Sequence, residues 1–230
     1  MTPSDSMPLN SRIEHTLLKA DATEADIRRI CQEALDHQFR GICIYPSWLT
    51  TARTALAGSS VKLITVIGFP HGCASSSSKA FEAQDAISKG ADEVDMVVNL
   101  GFVKSGQWEA VESDIREVKK ACKNRPLKVI LETNLLTDEE KNLVCKASLA
   151  AGADFVKTST GFAGGGATPH DIQLMKGAVE GKLRIKASGG VRTEEDALAL
   201  VLAGADTLGT SSGIQIIRGA SNHSTSPEKY

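Results

Sequence analysis

The chain has 230 residues, 41% of them hydrophobic and 23% charged, with a formal net charge of −2. That length suits one (β/α)8 barrel and is short for two full domains. The near-neutral charge gives no support for a nucleic-acid or membrane surface, and no apolar run approaches a membrane span. Five cysteines, Cys31, Cys43, Cys73, Cys122 and Cys145, form no CxxC pair, which fits reduced thiols in a cytoplasmic protein. The five histidines contain no HxH or HExxH, so neither a metal site nor a cofactor is expected.

Residues 1–10 read as a polar leader, 11–218 as the barrel and 219–230 as a polar tail. Arg12–Leu18 is the first expected strand, with His15 and Thr16 near its end. Thr23 is the N-cap of the following helix, and Asp26 closes a capping box. Gly41–Tyr45 is the second strand, and Trp48–Leu56 a short helix after Pro46. Val61–Phe69 is a long apolar strand. Ser75–Ser78 reads as a loop feeding a helix over Lys79–Lys89. Glu93–Asn99 is the fourth strand, Gly101–Gly106 a loop and Trp108–Ala121 an amphipathic helix. Leu127–Thr133 then reads as strand and Asp138–Ala151 as helix. Strands around Lys157 and Lys186 alternate with helices over Pro169–Val179 and Glu194–Leu202. Asp206–Gly209 is the last strand, with a short helix from Ser211. Eight strands alternating with helices imply parallel pairing and right-handed crossovers. A Gly-Ala-Asp echo at 90–92, 152–154 and 204–206 marks a repeated helix-to-strand turn with glycine past the helix end. The expectation is a single-domain α/β (β/α)8 TIM barrel, with an open doubly wound sheet as the alternative.

Two lysines stand out. Lys157 lies in Phe155-Val-Lys-Thr-Ser-Thr-Gly-Phe162, a strand-favouring run. Phe155, Lys157 and Ser159 share one face of that run. Lys186 repeats the design in Arg184-Ile-Lys-Ala-Ser-Gly-Gly190. A lysine among apolar neighbours loses hydration and its pKa falls. A second cation beside it lowers that pKa further, and a neutral amine attacks carbonyls. The bland reading of either lysine alone is a side chain whose head reaches water. The pair favours a nucleophile and its charged tuner. Asp95, inside Val94-Asp-Met-Val-Val98, reads as a buried partner for Lys186, as a proton relay, or as both. Lys128 and Glu132 share strand phase and read as a supporting ion-pair network. Cys43 reads as a small pocket wall. His15 reads as a hydrogen-bonded structural histidine, and His71 and His170 as loop residues. Gly189-Gly190 after the seventh strand, and Ser211-Ser212 after the eighth, occupy the loops where barrels bind phosphate.

Six segments carry a resemblance. They are Glu14-His-Thr-Leu-Leu-Lys19, Cys43-Ile-Tyr-Pro46, Phe155–Phe162, Gly165-Gly-Ala-Thr168, Lys186-Ala-Ser-Gly-Gly-Val-Arg-Thr193 and Gly209-Thr-Ser-Ser212. Together they resemble the deoxyribose-phosphate aldolases, over roughly Ile13 to Ile217. The resemblance implies a metal-free class I aldolase of deoxyribonucleotide catabolism. It would cleave 2-deoxyribose 5-phosphate to acetaldehyde and glyceraldehyde 3-phosphate. By motif position Lys157 is the Schiff-base lysine, Lys186 the second lysine and Asp95 the proton-relay acid. The implied substrate-binding set is Thr16, Cys43, Thr158, Gly189, Gly190, Ser211 and Ser212. Some members of that family carry a lysine after Ser-Thr-Gly, near the phosphate; Phe162 stands there in this chain. Some end in a tyrosine, as this chain ends in Tyr230, which is then a candidate for proton transfer. The implied assembly is a homodimer or homotetramer, with sugar phosphate and aldehydes as small-molecule partners. A different Schiff-base aldolase and a phosphate-binding barrel without catalysis are the rivals.

Overall fold

In a computed structural model of the protein, residues 7–219 are described. Eight parallel strands close into a barrel in sequence order: β1 (Ile13–Leu17), β2 (Gly41–Ile44), β3 (Lys62–Ile67), β4 (Glu93–Val97), β5 (Leu127–Ile130), β6 (Phe155–Lys157), β7 (Arg184–Ser188) and β8 (Thr207–Thr210). Pairing of β1 with β8, Glu14 opposite Gly209, completes the ring and excludes the open sheet. The helices are α1 (Glu24–Asp36), α2 (Leu49–Ala55), α3 (Ser76–Ser88), α4 (Leu100–Lys104), α5 (Trp108–Cys122), α6 (Asp138–Ala150), α7 (Pro169–Val179), α8 (Glu194–Ala203) and α9 (Gly213–Ile217). Most buried apolar side chains lie between strands and helices, Ile27, Ile42, Val94, Ile115 and Val144 among them. A small separate cluster, Leu18, Cys43, Ile64 and Val66, is joined by Tyr45 and Phe69.

Short-range chemistry sets the boundaries. The expected Thr23–Asp26 capping box is present, and Thr137–Glu140 and Thr193–Asp196 repeat it at α6 and α8. The Gly-Ala-Asp echo does more than turn the chain. Asp92, Asp154 and Asp206 accept hydrogen bonds from the N–H groups of Leu63, Leu127 and Ile185, at 2.9, 2.8 and 2.7 Å. Each aspartate thus ties its own strand to the start of the one before.

Four boundaries differ from expectation. The serine run is not a loop: Ser75 caps α3, and Ser76–Ser78 make its first turn, because a serine hydroxyl satisfies an otherwise unpaired amide. Residues 101–104, expected as loop, belong to α4, capped by Asn99. β5 stops at Ile130, and Glu132 turns away with φ 60°. Leu9–Arg12 forms a 3-10 turn, and Asn10 donates to the carbonyl of His37 at 3.1 Å. The last two residues of the expected leader therefore take part in the fold.

Candidate active site

Parallel register brings the charged side chains to one level of the lumen. Asp95 pairs in register with Lys128, and Lys157 with Lys186. Asp95 is fully buried and receives three lysines. Lys186 Nζ donates to Oδ2 at 2.7 Å, Lys157 Nζ to the same oxygen at 2.9 Å, and Lys128 Nζ to Oδ1 at 2.9 Å. Below them Lys128 reaches Glu93 at 2.6 Å, and Arg40 bridges Glu14 at 2.6 Å and Glu93 at 2.5 Å. Lys186 also pairs with Glu14. Phe155 floors the lumen, with the Arg184 guanidinium 4.0 Å from its ring centre.

The count of charges sets Lys157 apart from the other lysines. Glu14, Glu93 and Asp95 are matched by Arg40, Lys128 and Lys186. Lys157 is the fourth base facing three acids. Burial pushes its amine below the ordinary lysine range; Asp95 opposes that shift and Lys186 adds to it. Burial acts on Lys186 in the same sense, but Asp95 and Glu14 overcome it and hold that ammonium above its ordinary range. Burial would raise Asp95, yet Lys128, Lys157 and Lys186 keep it well below the usual carboxylate range. A carboxylate held low, an ammonium held high and an amine shifted downward thus lie together, both nitrogens within hydrogen-bond reach of Asp95.

Lys157 lies at the C-terminal end of β6, on the face where barrels of this architecture place reacting groups. Residues 7–219 match the sequence profile of the DeoC/LacD family aldolase. The chain belongs to that family. The aldolase relatives include a Finegoldia magna deoxyribose-phosphate aldolase, 52% identical over 213 residues, spanning 93% of this chain and 100% of that protein. The Brevibacillus brevis deoxyribose-phosphate aldolase is 55% identical over 214 residues, spanning 93% and 97%. The solved deoxyribose phosphate aldolase of Aeropyrum pernix, described as a unique tetrameric structure, aligns with a TM-score of 0.86 at 38% identity. It covers 94% of this chain and 91% of its own.

The other expected residues of this aldolase-family chain divide into groups. Cys43 is fully buried in the small apolar cluster. Thr16, Ser211 and Ser212 line one cavity of about 370 Å³ with His15, Lys19 and Gln215. Gly189 and Gly190 belong to the neighbouring loop, with φ of 84° and 73°, a region that favours glycine. The β6–α7 loop approaches them so closely that a Cβ on Gly166 would lie 2.4 Å from the Gly189 carbonyl oxygen. Thr158 spends its hydroxyl on β7: it donates to Ser188 O at 2.8 Å and accepts from Ser188 N at 2.9 Å. His15 meets Glu33 of α1 at 2.9 Å, a structural bond as expected. His170 meets Asp138 at 2.7 Å on the surface. Tyr230 lies outside the described residues.

One expected network is wrong. Lys128 does sit in an ion-pair network, but its partners are Glu14, Glu93 and Asp95. Glu132 has left the strand and accepts from the backbone N–H of Thr160 at 3.2 Å and from its hydroxyl. Three members of the network, Glu14, Glu93 and Arg40, lie outside the site set expected from the sequence. Glu14 shares strand phase with Thr16 and could have been found by that signal. Arg40 precedes β2 out of phase with Cys43, so alternation gives no cue to it. Among the described residues no His, Cys, Asp or Glu group is arranged to hold a metal ion, and no helix is long and apolar enough to cross a membrane.

Proposed function

We propose that this protein is a class I deoxyribose-phosphate aldolase, reversibly cleaving 2-deoxy-D-ribose 5-phosphate to acetaldehyde and D-glyceraldehyde 3-phosphate in deoxyribonucleotide catabolism. The observation that carries the reading is the buried Lys157 amine, uncompensated beside a carboxylate already matched by other cations. In the synthetic direction neutral Lys157 attacks acetaldehyde, and the carbinolamine takes up a proton and loses water to give an iminium. The iminium draws electrons from the methyl group, and a water held by Asp95 and Lys186 removes a methyl proton. The enamine carbon then bonds to the aldehyde carbon of glyceraldehyde 3-phosphate, whose oxygen takes a proton. Hydrolysis frees the sugar phosphate and restores the amine. Cleavage is the reverse. Backbone N–H groups of Gly189 and Gly190, with Ser211 and Ser212, hold the phosphate at the far end and orient the chain. Thr16 and Cys43 bound the sugar, and Tyr230 is assigned a proton-transfer role.

The reading includes a cytoplasmic location, supported by the scattered unpaired cysteines, and a homo-oligomer, in keeping with the tetrameric Aeropyrum pernix relative. The test is borohydride reduction in the presence of acetaldehyde, followed by peptide mapping. A reduced two-carbon adduct on the Lys157 peptide is expected. An adduct on Lys186 with Lys157 free would reverse the assignment, and no adduct would leave a binding barrel. A panel of sugar phosphates in the cleavage assay separates this enzyme from other Schiff-base aldolases.

A further inference from the structure

One charge in the lumen enters from the end opposite the candidate reacting groups. Arg40 stands immediately before β2, at the N-terminal end of the barrel. Its guanidinium donates to Glu14 of β1 at 2.6 Å and, through two nitrogens, to Glu93 of β4 at 2.5 and 3.1 Å. In the closed strand order β1 and β4 are separated by β2 and β3. Arg40 is therefore a chord across the lumen rather than a link between neighbouring strands. Its side chain keeps 16% exposure, whereas those of Lys128 and Lys186 have none.

Both carboxylates that Arg40 grips also serve a lysine. Glu93 accepts from Lys128 at 2.6 Å, and Glu14 pairs with Lys186. Burial would raise both carboxyls, yet Lys128 and Arg40, joined at Glu14 by Lys186, hold them below the ordinary range. Lys128 and Lys186 in turn meet Asp95, the carboxylate that Lys157 touches. A continuous run of ion pairs thus joins Arg40 to Lys157. Cys43 of β2 and Glu132 beyond β5 also lie within reach of the Lys157 charge. Burial pushes that thiol and that carboxyl up, toward their neutral forms.

The charge arithmetic turns on Arg40. With it, Glu14, Glu93 and Asp95 are matched before Lys157 is counted. Without it, those three acids face Lys128, Lys186 and Lys157, and the third ammonium is needed for balance. We propose that Arg40 is a positioning residue for the Schiff-base reaction: by claiming Glu14 and Glu93 at the N-terminal end of the barrel, it keeps the Lys157 amine free of its proton at the other end. It acts through the carboxylates and not on the substrate. The inference rests on the aldolase function proposed above.

The test follows two rates across pH. One is reductive ethylation of Lys157 by acetaldehyde and cyanoborohydride, read as the mass gain of its peptide. The other is deuterium uptake at the acetaldehyde methyl. The first needs only a neutral amine that adds to an aldehyde; the second also needs the enamine. Arg40→Met should move the acid limb of both up by about one pH unit, the low end for a unit charge near a titrating group. At a fixed pH on the limb that is about a tenfold loss. Arg40→Lys, which keeps the charge, should move it far less. Glu93→Gln removes an acid and should move the limb down. The double variant Arg40→Met with Glu93→Gln removes one charge of each sign and should return the limb close to that of the wild type. Damage to the fold does not produce opposite shifts that cancel. A limb that Arg40→Met leaves in place or moves down overturns this inference alone, as does a double variant no closer to wild type than Arg40→Met. Where Arg40→Met does not fold, Glu93→Gln carries the test, and a limb that it fails to lower overturns the inference. Absence of the Lys157 adduct in the wild type overturns it together with the proposed function.

Discussion

Two buried lysines in this molecule have opposite fates. Lys79, on α3, is fully buried between helices and donates to Asp114 of α5 at 2.7 Å and to the carbonyl of Val97 at 3.2 Å. It has a carboxylate of its own. Lys157 is nearly as buried, with an aspartate at 2.9 Å, but that aspartate also serves Lys128 and Lys186. Burial alone therefore does not make a reactive amine. What distinguishes Lys157 is that the charge beside it has already been claimed. Lys79 holds two helices together; Lys157 shares its carboxylate with two other lysines.

The contrast can be broken at either lysine. Lys157→Met should abolish cleavage by at least about 10⁴-fold, the scale of losing a covalent nucleophile. It leaves three acids facing three cations, so stability should change by less than about 1.5 kcal/mol, as for a volume-conserving swap. A large fall in melting temperature would show that Lys157 is a structural cation after all. Lys186→Met should lower activity about 10²- to 10⁴-fold, the range for lost proton transfer. It should also move the acid limb of the rate profile. Lys157 reacts as the neutral amine, so activity develops as pH rises through its pKa. Removing Lys186 takes away a neighbouring positive charge and leaves Asp95 less compensated, both of which raise that pKa. The limb should shift to higher pH; a shift to lower pH would contradict the arrangement.

At the other lysine, Lys79→Met strands Asp114 in an apolar layer. A loss of about 3–5 kcal/mol is expected from denaturant titration, with turnover per folded molecule retained. Equal loss of turnover would mean that the α3–α5 pair reaches the site. The smallest expected effect concerns the far end of the substrate. Ser212→Glu should raise KM for deoxyribose 5-phosphate about tenfold, equivalent to about 1.4 kcal/mol, and change unphosphorylated deoxyribose far less. Equal changes on both would place the phosphate elsewhere.

The buried lysines of the lumen were legible because strand alternation and apolar neighbours are local signals. Lys157, Lys186 and Asp95 each stand out within five residues of sequence, and the closed register brings them together. Closure itself was not local: it depends on Glu14 and His15 meeting Gly209 and Thr210 from the opposite end of the chain. Arg40 carries no such local signal, because it precedes its strand. Alternation extended past Ile130 pairs Glu132 with Lys128, but the strand ends there and the backbone turns at Glu132. The assignment of Gly101–Gly106 as loop failed for a related reason. Asn99 caps Phe102 N–H at 3.2 Å and allows a helix of five residues, too short for periodicity to register.

The three aspartates after Gly-Ala sew β3 to β4, β5 to β6 and β7 to β8. The joints β4–β5, β6–β7 and β8–β1 carry no such stitch among these three. The charged side chains lie across those other joints: Asp95 to Lys128 over β4–β5, Lys157 beside Lys186 over β6–β7, and Lys186 to Glu14 past the closing edge at β8–β1. Strand pairs are thus made locally, and chemistry is wired between pairs. A fragment ending at any of these joints would lose the balance of charge around Lys157. The charge balance around Lys157 is a property of the closed ring, absent from each of its parts.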